Sequence, residues 1–144
     1  GLIEAKAVSQ DEALPLATEL RFPVWYPTRM SVGSTYVTSD RRAYIIRDRD
    51  DKKYQAYRLV VHTPLVGQYY GIQGMTWKDP PILAHPTGEK KMGGRTFKLF
   101  GDGKHLRLVS WETPQGVYWV ANTLLGTLTN QQMLGIAEST RRFG

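Results

Sequence analysis

Alternation of apolar and polar residues governs the middle of the chain and predicts strands. Arg42–Arg47 sets Tyr44 and Ile46 on one side and Ala43 and Ile45 on the other. Tyr54–His62 opposes Tyr57, Leu59 and Val61 to Arg58 and His62, the period-two pattern of a half-buried strand. The mixed-charge stretch Asp48-Arg49-Asp50-Asp51-Lys52 turns the chain between them. Ser34–Thr38 reads as a weak strand. Gln68–Met75 reads as a further one, in which Gly71 and Gly74 mark a bulge or a close backbone approach. Phe97–Phe100 and Leu106–Trp111 flank the hairpin turn Gly101-Asp102-Gly103-Lys104, and Val117–Asn122 follows the turn Thr113-Pro114-Gln115-Gly116.

Helical signals lie at the two ends. Ser9 and Glu12 have capping-box spacing, and Ala13, Leu16, Ala17 and Leu20 form an apolar stripe. Pro15 falls beyond the tolerated first turn, so the expected helix is short or kinked. Phe22–Pro27 ends it, because each residue before a proline favours extended geometry. Near the C-terminus Thr129 and Gln132 form a second capping box, and Leu128 and Met133 form a hydrophobic staple. That helix is expected to run almost to the end, with Met133, Ile136, Ala137 and Thr140 on its apolar face. Arg141 and Arg142 then complement its dipole in the last turn.

Residues 1–8 read as a tail or linker and residues 9–144 as one domain. The expected fold is α+β, an antiparallel sheet of about six or seven strands covered by a C-terminal helix and a short N-terminal helix. Thr76–Gly94, with its prolines and glycines, reads as one long connection fastened by Trp77 and Ile82.

Composition narrows the classes. With 144 residues, 41% of them hydrophobic and 22% charged, the chain suits one globular domain rather than a disordered segment. No apolar run approaches the roughly 20 residues of a membrane helix, so no membrane insertion is expected of this piece itself. Without Cys there are no disulfides, thiol nucleophiles or thiolate metal ligands. A net charge of +6 and a pI near 9.7 favour polyanionic partners.

Catalytic patterns are missing. His62, His85 and His105 are scattered, without metal-ligand spacing to one another or to a carboxylate. Ser110 lacks a Gly-x-Ser-x-Gly context, and Gly101-x-Gly103 leads into a strand rather than a helix. No catalytic residue, cofactor or metal is therefore expected. The informative feature is cationic and aromatic. Arg41, Arg42, Arg47 and Arg58 gather near Tyr44, Tyr54 and Tyr57, and Trp77 and Lys78 open the long connection. Of these, Arg41, Arg42, Arg47, Arg58, Trp77 and Lys78 are the six candidate polyanion-binding residues. Against this, strand aromatics more often form cross-strand pairs and core.

Several stretches resemble the C-terminal extension of actinobacterial LytR-CpsA-Psr proteins. They include Phe22-Pro23-Val24-Trp25-Tyr26-Pro27, Arg42-Ala43-Tyr44-Ile45-Ile46-Arg47-Asp48, and Gly67-Gln68-Tyr69-Tyr70-Gly71-Ile72-Gln73-Gly74. Thr76-Trp77-Lys78-Asp79-Pro80-Pro81-Ile82-Leu83 and Val117-Tyr118-Trp119-Val120-Ala121-Asn122-Thr123-Leu124 continue the likeness, which spans nearly all of residues 20–142. That family attaches wall glycopolymers to peptidoglycan outside the membrane, usually with a divalent cation. The resemblance implies an extracytoplasmic, non-catalytic accessory domain of a membrane-anchored parent, its catalytic domain lying upstream. The expected partner is that catalytic domain or an anionic wall polymer. Two alternatives remain: a stand-alone phosphoglycan transferase with carboxylates, Arg58 and His62 in one pocket, and a basic nucleic-acid-binding domain, which is not favoured.

Overall fold

The computed structural model describes residues 1–143. The chain opens with β1 (Leu2–Glu4), α1 (Lys6–Glu19), β2 (Trp25–Pro27) and β3 (Arg29–Ser31). The sheet strands follow: β4 (Thr35–Tyr36), β5 (Arg42–Arg47), β6 (Lys53–His62), β7 (Tyr69–Met75), β8 (Gly88–Met92), β9 (Arg95–Gly101), β10 (Leu106–Thr113) and β11 (Gly116–Ala121). α2 (Asn130–Glu138) and β12 (Thr140–Arg142) close the chain. The class is α+β, dominated by antiparallel sheet. Eight strands form the main sheet in the order β4-β6-β7-β11-β10-β9-β8, and β5 pairs with the first half of β6 beside β4.

The alternation seen in the sequence separates the two faces of this sheet. On the inner face Tyr57, Leu59, Val61, Tyr70, Ile72, Phe97, Val109, Trp111, Tyr118 and Val120 form one cluster with Ala13 and Leu16 of α1 and Met133, Ile136 and Ala137 of α2. On the outer face Ala56, Met75, Phe100, Leu108, Val117 and Trp119 form a smaller cluster with Tyr44, Ile46, Trp77 and Leu83.

The N-terminal expectations need correction. Residues 1–8 are not a tail: β1 pairs with β3, and α1 already begins at Lys6. Ser9 is therefore no cap. It sits buried inside the helix, its hydroxyl 2.6 Å from that of Tyr36. The first helical N–H instead donates to the Glu4 carboxylate at 2.8 Å. Pro15 lies within the 14-residue helix on its exposed side, so the helix is not short.

Two later expectations change as well. Gly88–Met92, placed in the long connection, is the edge strand β8. Gly93 and Gly94, both at positive φ, turn it directly into β9. Its Lys- and Gly-rich sequence is that of an edge protected by charge rather than of a buried strand. The expected weak strand Ser34–Thr38 shortens to Thr35–Tyr36. α2 does begin at Thr129 with both capping-box hydrogen bonds present. It stops at Glu138, and Arg141 and Arg142 belong to β12, paired with β2.

Arg141 still reaches the end of α2, donating to the Glu138 carbonyl at 3.0 Å, but the less exposed cation there is Arg95. Its guanidinium donates to the carbonyls of Glu138 (2.9 Å), Thr140 (3.2 Å) and Ala137 (3.3 Å). It also lies 5.0 Å from the Trp25 ring, 4.8 Å from Phe97 and 5.6 Å from Trp111. Burial, reinforced by Arg141, lowers its pKa to about 10, so it remains cationic at neutral pH. It thus neutralises the negative helix terminus from a neighbouring strand.

Two substitutions test this framework. An added Cβ at Gly74 would lie 2.5 Å from Tyr118 Cδ1 and 2.6 Å from Tyr57 Cε1, the close approach that the glycine permits. Gly74→Ala is expected to cost about 1–3 kcal/mol by overpacking, read from urea denaturation. Arg95→Leu is expected to cost roughly 1.5–3 kcal/mol by removing charge-assisted hydrogen bonds that Arg141 and the Thr140 hydroxyl replace only in part. A loss below about 1 kcal/mol would show that solvent satisfies the terminal carbonyls equally well.

Candidate polyanion-binding face

The outer face carries one row of residues in direct register. Arg42 pairs with Arg58, Arg58 with Gln73, Gln73 with Trp119, Trp119 with Ser110, Ser110 with Lys98, and Lys98 with Glu89. Direct partners in an antiparallel sheet share a face, so the sequence places these side chains on one line. From Arg42 to Lys98 the row crosses five strand spacings, roughly 24 Å.

Segment 76–87 crosses this face as a strap. It contains a short 3-10 turn at Pro81–Leu83, and Leu83 packs in the same cluster as Trp119. A cavity lies on each side of it. The first, about 600 Å³, opens where the pairing of β9 with β10 ends at Lys98 and Ser110, with Lys78, Asp79, Lys98, Ser110 and Glu112 on its walls. The second, about 690 Å³, has His85, His105, Arg107, Leu124 and Leu125 among its lining residues. Among the described residues no group of three or more His, Asp and Glu side chains has metal-site geometry.

The six expected binding residues divide. Arg42 and Arg58 face one another across β5 and β6, and among the described residues neither has a carboxylate within 4.0 Å. Arg58 donates through Nε to the Asp40 carbonyl at 3.0 Å, which fixes its guanidinium at the sheet edge. Tyr44, opposite Ala56, lies on the same face beside the two arginines. Burial raises its phenol pKa, while Arg58 and Arg42 pull it down. Trp77 stacks on Tyr54 with centroids 5.3 Å apart, and Lys52 lies 5.3 Å from the Tyr54 centroid. Lys78 is exposed at the mouth of the first cavity.

Arg41 and Arg47 do not join this group. Arg41 lies 3.5 Å from the buried Glu12 carboxylate and donates to the Glu12 carbonyl at 3.2 Å, so it neutralises an acid of α1. Arg47 pairs with Asp51 at 2.9 Å within the hairpin tip. His62 lies 4.9 Å from Tyr69 with the rings tilted by 38°, and neither His62 nor Arg58 lines either of these two cavities. Sequence reading missed Gln73, Lys98 and Ser110. Their signal is alternation carried across strand partners, which a single strand cannot reveal.

The hairpin tip that absorbs Arg47 is organised by Asp48. Its carboxylate accepts from the backbone N–H groups of Lys52 and Asp50, each at 2.9 Å, and from the Tyr54 hydroxyl at 3.0 Å. The Lys52 N–H, above all, holds its pKa below the ordinary value. A folded-state pKa below the unfolded one stabilises the ionised protein at neutral pH, and that contribution fades on acidification. The Tm difference between the wild type and Asp48→Asn is therefore expected to narrow as pH falls through the carboxylate range. A difference independent of pH would assign the effect to the turn's shape alone. No protein-family model, curated protein or solved structure matches the chain.

Proposed function

We propose that this domain is a non-catalytic module that holds an anionic polymer across the outer face of its sheet. The observation that carries the reading is the Arg42–Arg58 pair. Like charges directly opposite in a sheet destabilise it by about 0.2–1 kcal/mol, and among the described residues no carboxylate lies within 4.0 Å of either. A bound phosphate or carboxylate between the two guanidiniums converts that repulsion into paired charge-assisted hydrogen bonds. Gln73 supplies a neutral partner beside them. The Tyr54–Trp77 stack offers a flat surface for a sugar ring, and Lys78 and Lys98 extend the positive track beyond the strap. In this reading both helices cover the inner face, so the outer face on either side of the strap is left for ligand.

The resemblance to the LytR-CpsA-Psr extension supports a wall glycopolymer as the polyanion. It also supports an extracytoplasmic setting, in a parent whose bond-making chemistry and membrane anchor reside outside these 144 residues. Within that parent the module keeps the polymer close to the catalytic domain.

Binding of poly(glycerol phosphate), followed by calorimetry against ionic strength, tests the proposal. Arg42→Gln/Arg58→Gln is expected to weaken binding roughly tenfold and to flatten the salt dependence by roughly two charges. Arg47→Gln, whose partner is Asp51, should leave affinity near the wild-type value. Absence of salt-sensitive binding in the wild type would sink the proposal, as would tighter binding of a single-stranded oligonucleotide at the same ionic strength.

A further inference from the structure

At the end of the sheet where β6 and β11 finish and β7 begins, the fold holds aliphatic side chains in solvent. Val66 is 95% exposed, Leu125 80%, and Leu124 is fully exposed. Leu65 and Val32 are each more than half exposed at the same end. Monomeric proteins rarely gather large apolar residues on adjoining loops without a use for them.

These loops are built, not slack. In the first, the Thr63 N–H donates to the Gln68 carbonyl, the Gln68 N–H to the Leu65 carbonyl, and the Leu65 N–H to Thr63 Oγ1. Val66 is left at the tip. In the second, Asn122 Oδ1 accepts from the N–H groups of Thr123 and Leu128, while its amide donates to the carbonyls of Leu106 and Leu128. The Thr127 N–H donates to Thr123 Oγ1, and Gly126 turns the chain at φ 68°. Leu124 and Leu125 are thereby displayed on a hydrogen-bonded frame. The Thr127 hydroxyl donates to Gln68 Oε1 at 3.1 Å and joins the two frames.

Cations stand directly behind the tips. The 690 Å³ cavity bordered by Leu124 and Leu125 also has Arg107, His85 and His105 on its walls, with Asp102 as its one lining carboxylate. Lys104 is exposed in the same hairpin. Arg107 has no acid within 4.0 Å among the described residues.

We propose that this end of the domain docks on an anionic phospholipid bilayer, with Val66, Leu124 and Leu125 in the interfacial layer and Arg107 against a headgroup phosphate. Nearly full exposure means that these side chains project from the cavity's rim, which suits a fluid phase better than a rigid protein pocket. The cationic rim gives the matching electrostatics. No helix of the described residues is long and apolar enough to cross a membrane, and shallow docking through loops needs none.

Cosedimentation of the 144-residue chain with sucrose-loaded vesicles tests this, comparing phosphatidylcholine alone with phosphatidylcholine containing phosphatidylglycerol. The wild type is expected to pellet with the anionic vesicles and much less with the neutral ones. Leu124→Ser/Leu125→Ser should lower the partition coefficient at least roughly tenfold. Arg107→Gln should weaken it and reduce its salt dependence, whereas Arg42→Gln/Arg58→Gln should leave it close to the wild type. Equal pelleting of Leu124→Ser/Leu125→Ser and wild type would overturn the proposal, as would equal binding to both vesicle types or to neither. Loss of binding only in the Arg42/Arg58 variant would show that the outer-face arginines capture the vesicle. Failure here leaves the polymer-binding experiment untouched, since the two use different residues and different ligands.

Discussion

Three tyrosine hydroxyls under the inner face tie the sheet to the segment that precedes it. Burying an aromatic ring is favourable, but burying its hydroxyl without a partner costs a few kcal/mol. The Tyr57 hydroxyl donates to the Trp25 carbonyl at 2.8 Å and accepts from the Trp25 N–H at 2.9 Å. The Tyr118 hydroxyl donates to the Pro23 carbonyl at 2.7 Å, and that of Tyr70 accepts the Ser31 N–H at 3.3 Å. Burial raises the pKa of Tyr57 and Tyr118, so both remain neutral donors under physiological conditions. Residues 23–31 are thus positioned through side chains, outside the main sheet. That placement lets β2 pair with β12 and brings Trp25 over Arg95.

This tie also decides where a ligand can bind. The inner face is packed with buried rings and offers a ligand little open surface, although the indole N–H groups of Trp25 and Trp111 have no hydrogen-bond partner. On the outer face the smaller apolar cluster occupies only part of the surface, and the strap settles over Trp119 rather than over the arginines. Charged side chains therefore survive at both ends of the register row, where water or a ligand can reach them. Arg42 and Arg58 are tolerated there because an edge hairpin remains solvated enough to screen the repulsion.

What the sequence disclosed follows from the range of the forces involved. β5, β6 and the Thr129 cap depend on period two or on groups three residues apart, and they were legible. β8 depends on pairing with β9, and its exposed Glu89, Lys90 and Lys91 carry no apolar period, so it read as loop. The end of α2 was misplaced for a related reason. Arg141, a nearby cation in sequence, does reach the Glu138 carbonyl, but it does so from β12, and Arg95 joins it from 42 residues away at the Ala137 carbonyl. Ser9 and Glu12 imitate a cap locally, whereas Tyr36 and Arg41 recruit them into a buried contact. Arg41 is drawn to Glu12 of α1, a partner only the fold defines, whereas Arg47 pairs with Asp51 four residues away in the mixed-charge turn. Leu124 and Leu125 drew no attention as a short apolar pair beside a run of strand. Only their frame shows that they face outward.

The two proposed surfaces are compatible for a geometric reason. The apolar tips lie beyond the ends of the strands, so in the docked orientation the sheet stands on its end and the register row runs parallel to the bilayer. Arg58 is four residues up β6 from His62 at the strand's end, a rise of roughly 13 Å before the loop is counted. The Debye length at physiological ionic strength is about 8 Å. Anionic headgroups therefore neither occupy the arginine pair nor strongly repel a polyanion held by it. On the two proposals together, such a module would keep a charged polymer alongside a charged membrane without making the two compete for the same cations. That separation comes from the length of β6 and its neighbours, the same strands whose inner tyrosines fix the rest of the molecule.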